Sequence, residues 1–139
     1  MAVNEEHIYS PGYRLIVNNV QIYYEYYEHE DPDAQVVVLV HGFLSSTISF
    51  RQLLPYLTKK YKVIALDLPG FGQSEKSTSF IYKLSNYGQL IIDFLDKLNI
   101  QDVILIGHSM GGQISMHAAK KAPKRIQKLI LLGCCSYVK

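Results

Sequence analysis

This 139-residue chain has little that could staple it, anchor it in a membrane or draw it to a strongly charged partner. Its two cysteines, Cys134 and Cys135, are neighbours and cannot bridge distant segments. Reduced thiols in a cytoplasmic protein are therefore the expectation. No apolar run approaches the roughly 20 residues needed to cross a bilayer. The opening stretch, Met1-Ala-Val-Asn-Glu-Glu, is polar and acidic, unlike a signal or transit peptide. The net charge is only +2, with the two signs interspersed, so neither nucleic acid nor an acidic membrane is expected as a partner. Internal repeats and low-complexity tracts are absent too. What remains is a chain that is 48% hydrophobic and 19% charged, the balance of a soluble globular protein. Its length fits one domain, residues 1–139, with room for a real core.

The most informative stretch runs from Asp102 to Gly112. An apolar run, Val103 to Ile106, breaks at Gly107, exposes the hydroxyl of Ser109 and continues into a helical pattern. This is the G-x-S-x-G arrangement of strand, sharp turn and helix that presents a nucleophilic serine. A serine on such a turn sits in a strained backbone, and neighbouring chain passes close by, so Gly107 and Gly111 stand where side chains would obstruct. Met110 falls in the first helical turn, where an unpaired N–H and the positive helix end can receive an oxyanion.

In chain order, Tyr13 to Val17 and Val20 to Tyr27 predict two strands joined by Asn18-Asn19, a pair that tolerates the positive φ of a two-residue hairpin turn. The tyrosines of the second strand, Tyr23, Tyr24, Tyr26 and Tyr27, are explained more cheaply by β-propensity and packing than by binding. Glu28 to Gln35 reads as a surface loop. Val36 to Val40 is an unbroken apolar run, as in a parallel strand covered on both faces, and it ends at His41-Gly42-Phe43. Phe50, Leu53, Leu54 and Leu57 follow a helical spacing, but Pro55 lies inside it, so this helix is expected to be kinked or to start late. Lys62 to Asp67 predicts another buried strand, followed by the turn-dense Leu68 to Ser74. Tyr87, Leu90, Ile91, Phe94, Leu95 and Leu98 mark an amphipathic helix with Ser85 as its expected N-cap. After the Ser109 turn a helix should run from about Met110 to Lys121, with Pro123 at its stop, and Lys128 to Gly133 should form a last strand. Alternating strands and helices predict an α/β sandwich: a mostly parallel sheet of about six strands, its first hairpin antiparallel, with helices on both faces.

Three segments now carry a resemblance. Val-Val-Val-Leu-Val-His-Gly-Phe43, Asp67-Leu-Pro-Gly-Phe-Gly-Gln-Ser74 and Gly107-His-Ser-Met-Gly-Gly112 occur together and in order, and the chain resembles the N-terminal part of an esterase-like α/β-hydrolase-fold protein. The resemblance implies a sheet order of 1-2-4-3-5-6, with the strand ending at Val40 beside the Ser109 strand. It implies Ser109 as nucleophile and the backbone N–H groups of Phe43 and Met110 as an oxyanion hole. His41, Gly42, Asp67, Gly70, Gly72, Gly107, His108, Gly111 and Gly112 would build the elbow and loops. The implied chemistry is acyl transfer on a small ester through an acyl-serine, without metal or cofactor. Relatives acting on halides or epoxides carry aspartate where this chain has Ser109, which disfavours those reactions.

The departure from the family is as informative. A triad in this fold needs serine, then an acid, then histidine in chain order. After Ser109 there is no Asp or Glu, and the only histidine is His117, two turns along the same helix. His41 precedes the serine, and His108 should point away from the turn's exposed tip. The fold is therefore expected to be cut after its sixth strand, as a truncated hydrolase inactive alone, one half of a split enzyme, or a non-catalytic interaction module. Its last strand would then be an open, apolar edge inviting self-association or a complementing C-terminal half.

Overall fold

The computed structural model describes residues 12–133. The two cysteines and the N-terminal stretch considered above lie outside them. Six strands form one sheet in the order β1-β2-β4-β3-β5-β6, the order implied by the resemblance. β1 (Gly12–Val17) and β2 (Val20–Tyr27) make the antiparallel hairpin, with Asn18 and Asn19 at φ 52° and 65° in its turn. β2 also runs antiparallel to β4 (Lys62–Leu66). β3 (Val36–Val40), β4, β5 (Val103–His108) and β6 (Ile126–Leu132) are mutually parallel.

Period-two alternation sorts each strand's side chains onto two faces. Val38, Val40, Ile64, Leu66, Val103 and Leu105 look one way, into a core closed by α2 (Leu84–Lys97) and α3 (Met110–Lys121). Val37, Leu39, Val63, Ala65, Ile104 and Ile106 look the other way, onto a smaller cluster with Phe50 and Leu54. The first layer is thick and the second is thin. On the thin side the described residues supply only a 3-10 turn, Thr47–Phe50, and a single helical turn, α1 (Leu54–Leu57). Pro55 explains the brevity: it stands near the N-terminus of α1, where a missing N–H costs no hydrogen bond, so the helix starts late. An open groove of about 670 Å³ remains between this segment and β6, walled by Phe50, Leu53, Tyr56, His108 and Leu132.

Two local expectations need correction. Ser85 does not cap α2. Lys83 occupies the N-cap position without a side-chain bond, and Ser85 lies one residue inside the first turn. Local hydrogen bonding decides this, since the Asn86 amide reaches back to Ile81 O at 3.0 Å and fixes the entry two residues earlier. The last strand begins at Ile126, two residues before the predicted start, because Ile126 already pairs with Val103. β6 ends the sheet, and Ile130, Leu131 and Leu132 on it are 37–39% exposed. No helix among the described residues is long and apolar enough to cross a membrane.

Candidate active site

The C-terminal ends of β3, β4 and β5 lie side by side, and the loops leaving them build the site. β5 carries the chain to Ser109, whose backbone is at φ 58°, ψ −122°, and Met110 then opens α3. A non-glycine residue in that region costs about 1–3 kcal/mol and persists only where its surroundings enforce it. Here they do. Ser109 N–H donates to Leu132 O of β6 at 3.0 Å, and Gly112 N–H donates to Ser109 O at 2.9 Å. Space is equally tight. A Cβ on Gly111 would collide with the Val40 and His41 carbonyl oxygens, and one on Gly107 with the backbone of Gly111 and Gly112. α3 can therefore start against the end of β3 only because these positions are glycine.

The loop after β3 comes in from the other side. A Cβ on Gly42 would stand 3.0 Å from Ser109 Cβ and 3.5 Å from its Oγ, so the Gly42 backbone lies against the hydroxyl's flank. Neither Phe43 N–H nor Met110 N–H donates to a backbone carbonyl among the described residues. His41 anchors the loop's start. Its Nε2 accepts from Leu68 N–H at 2.9 Å, which leaves Nδ1 protonated to donate to Gly42 O at 2.7 Å. Burial pushes its pKa below the usual histidine value, so the ring is held neutral. Phe71 packs edge-on against both His41 and Phe43, at 5.7 Å in each case.

Asp67 ties this loop to the next. Its buried carboxylate accepts Thr47 N–H on Oδ1 and Gln73 N–H on Oδ2, each at 2.8 Å. Gly70 and Gly72 turn the β4 loop at φ 90° and 55°, and Gly72 lies against the Asp67 carboxylate. Behind them sits a second buried carboxylate, Glu25 of β2. Tyr27 OH donates to its Oε1 at 2.7 Å and Tyr23 OH to its Oε2 at 3.1 Å, while Arg51 spans both oxygens at 3.3 and 3.1 Å. The β2 tyrosines thus serve hydrogen bonding and packing: Tyr24 stacks on Tyr13 and meets Phe94 edge-on. Tyr26 donates to Glu28, and burial, with that carboxylate's help, raises its own pKa to about 12.

A family model for the alpha/beta hydrolase fold matches residues 35–138. The chain belongs to the α/β-hydrolase family. It is 50% identical over 130 residues to the hydrolase YugF of Bacillus subtilis, an alignment covering 94% of this chain and 47% of YugF. It is 32% identical over 108 residues to the 2-hydroxy-6-oxo-2,4-heptadienoate hydrolase of Pseudomonas putida, over 76% of this chain and 39% of that protein. Among solved structures, a bacterial membrane phospholipase A superposes with a TM-score of 0.88 at 26% identity, over 99% of this chain and 44% of the other. The chain spans less than half the length of these relatives.

In this α/β hydrolase, then, Ser109, Gly42, Phe43 and Met110 come together, and Asp67 lies behind them as a tie between loops. The histidines stand elsewhere. His117 lies on α3 against Gly88 of α2, so close that a Cβ there would meet its own Cβ at 2.7 Å. His108 is exposed and faces the groove beside Leu132. His41 has both nitrogens engaged within the loops. Among the described residues no group of three or more His, Cys, Asp or Glu is arranged to hold a metal ion. Glu25, Arg51 and Thr47 were not anticipated. The available signal was a lone carboxylate at an inward position of an aromatic strand, in phase with Tyr23 and Tyr27.

Proposed function

We propose that this α/β hydrolase is a serine carboxylesterase in which Ser109 is the nucleophile and the N–H groups of Phe43 and Met110 form the oxyanion hole. The observation that carries the reading is the strained Ser109 with Gly42 against its flank and two adjoining backbone N–H groups, of Phe43 and Met110, that donate to no backbone carbonyl among the described residues. Ser109 Oγ attacks the ester carbonyl carbon and gives up its proton to a base, and the electron pair of the C=O bond moves onto oxygen. Each donor aimed at that oxyanion contributes about 3 kcal/mol in comparable sites. Collapse expels the alcohol, which takes the proton, and water then hydrolyses the acyl-serine. The base and its orienting acid are assigned to the portion of the longer relatives that this chain does not span. The substrate is a small-molecule carboxylic ester, the bond class that the likeness to a phospholipase A supports, and neither metal nor cofactor takes part.

Ser109→Ala tests this in a form long enough to supply acid and base. Hydrolysis of a p-nitrophenyl ester should vanish while the fold persists, and retained turnover would remove Ser109 from the role. Residues 1–139 alone should react slowly with a fluorophosphonate, because without a base the serine is a weak nucleophile. Rapid stoichiometric labelling of Ser109 would show that a base lies within these residues.

A further inference from the structure

Two residues beside the catalytic serine's cleft hold positive φ without being glycine. Ser109 is one, and Leu44, at φ 57°, is the other. Leu44 follows Phe43 directly, and its side chain is 80% exposed, so its own packing does not hold it there. Such a conformation costs about 1–3 kcal/mol and relaxes unless both flanks are fixed. The upstream flank is His41, bonded at both ring nitrogens. The downstream flank is the 3-10 turn Thr47–Phe50. Ser46 caps it, and Arg51 closes it with its backbone N–H on Ile48 O. The two ends of that turn are tied to two different buried carboxylates, Thr47 N–H to Asp67 and the Arg51 guanidinium to Glu25. Thr47 Oγ1 also faces Glu25 Oε2, at 3.4 Å.

Glu25 is 3% exposed and Arg51 is partly buried. A buried ion pair is a poor way to gain stability, since well-packed apolar residues of similar volume do as well or better. What the pair adds is direction. A planar guanidinium on a carboxylate held by two tyrosine hydroxyls fixes the turn's position and orientation, as a greasy contact would not.

We propose that Glu25 and Arg51 are positioning residues that hold the loop Gly42–Ser46, through the turn Thr47–Phe50, so that the Phe43 N–H faces the oxygen of a substrate on Ser109. This rests on the reading of Ser109 as nucleophile and Phe43 N–H as oxyanion donor. The pair touches no reacting atom. Its effect is on how much of the time the strained loop presents its donor.

The test uses the 139-residue chain and two readouts. Glu25→Gln takes the buried carboxylate from the Arg51 guanidinium and risks unfolding, so the double variant Glu25→Gln/Arg51→Met, which removes both charges together, carries the experiment. Hydrogen exchange at the loop's anchor, the bonded Thr47, Ile48, Ser49 and Arg51 amides, should accelerate about tenfold, with β3, β4 and β5 amides unchanged. The maximal rate of fluorophosphonate labelling at Ser109 should fall about tenfold, less than the 10²–10³ of losing a donor outright, with the half-saturating probe concentration unchanged. Arg51→Lys, which keeps the charge but not the fork, should fall between. Loop exchange that stays at the wild-type rate, or that rises equally throughout the sheet, overturns the proposal. If labelling persists in Ser109→Ala, it is the nucleophile assignment that fails, and loop exchange still decides the positioning role.

Discussion

The two chain segments that meet at Ser109 are held by different forces. The elbow is fixed by backbone against backbone: Gly107 on Gly111, Gly111 on the end of β3, and Ser109 N–H on β6. No charge takes part. The loop after β3 is fixed by the buried polar side chains His41, Asp67 and Glu25 and by the partly buried Arg51. Steric confinement places an atom to within tenths of an ångström but tolerates no added atom. Polar ties tolerate changes of shape but respond to protonation and to loss of a partner. One site therefore has a side that should fail abruptly and a side that should fail by degrees.

Gly111→Ala strikes the first side. Its methyl has only the Val40 and His41 carbonyls to occupy, so a loss of at least about 3 kcal/mol is expected in urea unfolding. A loss under about 1 kcal/mol would mean that the elbow is not sterically fixed. Asp67→Asn strikes the second side. One amide oxygen replaces one carboxylate acceptor, but the amide NH2 then confronts the other N–H, costing about 1–3 kcal/mol. Unchanged stability would remove Asp67 as the tie.

Acidity should separate the two sides further. His41 has its pKa lowered by burial, so the unfolded chain binds a proton more readily than the folded one. Stability from the neutral ring is complete above the unfolded value, about 6.5, and is lost as the pH falls from there toward the folded pKa. Urea midpoints at pH 7.5 and 5.5 should differ, and His41→Asn should flatten that slope. An equal slope in the variant would place the effect elsewhere. The smallest effect on stability is expected at the exposed edge of the sheet, where Leu131 is 39% exposed. Leu131→Lys on β6 should change stability by no more than about 0.5 kcal/mol. In sedimentation velocity it should nonetheless reduce self-association of the 139-residue chain through its apolar edge. A wild-type chain that stays monomeric at all concentrations would mean the edge does not pair.

Much of this was legible because it is local. Unbroken apolar runs gave the parallel strands, Asn18-Asn19 the hairpin, and Gly107 to Gly111 the elbow, each readable within a dozen residues. Sheet order came from the resemblance and not from any periodicity. Where the sequence reading failed, the deciding bond was made elsewhere. Ser85 looked like a cap, but the side chain of Asn86 set the helix entry. Glu25 looked like one more polar residue of a strand, because its partner Arg51 stands 26 residues away on a different element. No window along the chain contains that pair.

The sheet order also sets a sequence of events in time. β3 is a central strand whose neighbours come later in the chain: Val37 pairs with Val63 and then with Ile104. The hairpin of β1 and β2 closes locally, within microseconds for such a motif. Gly42 meets Ser109 only when β5 has docked beside β3, a contact whose loop-closure entropy must be met before any of its rewards. The ties of the loop after β3 to Glu25 and Asp67 use chain that precedes β5, so that loop can be in place before the elbow arrives. The meeting of Gly42 with Ser109 is then among the last steps by which these residues become native.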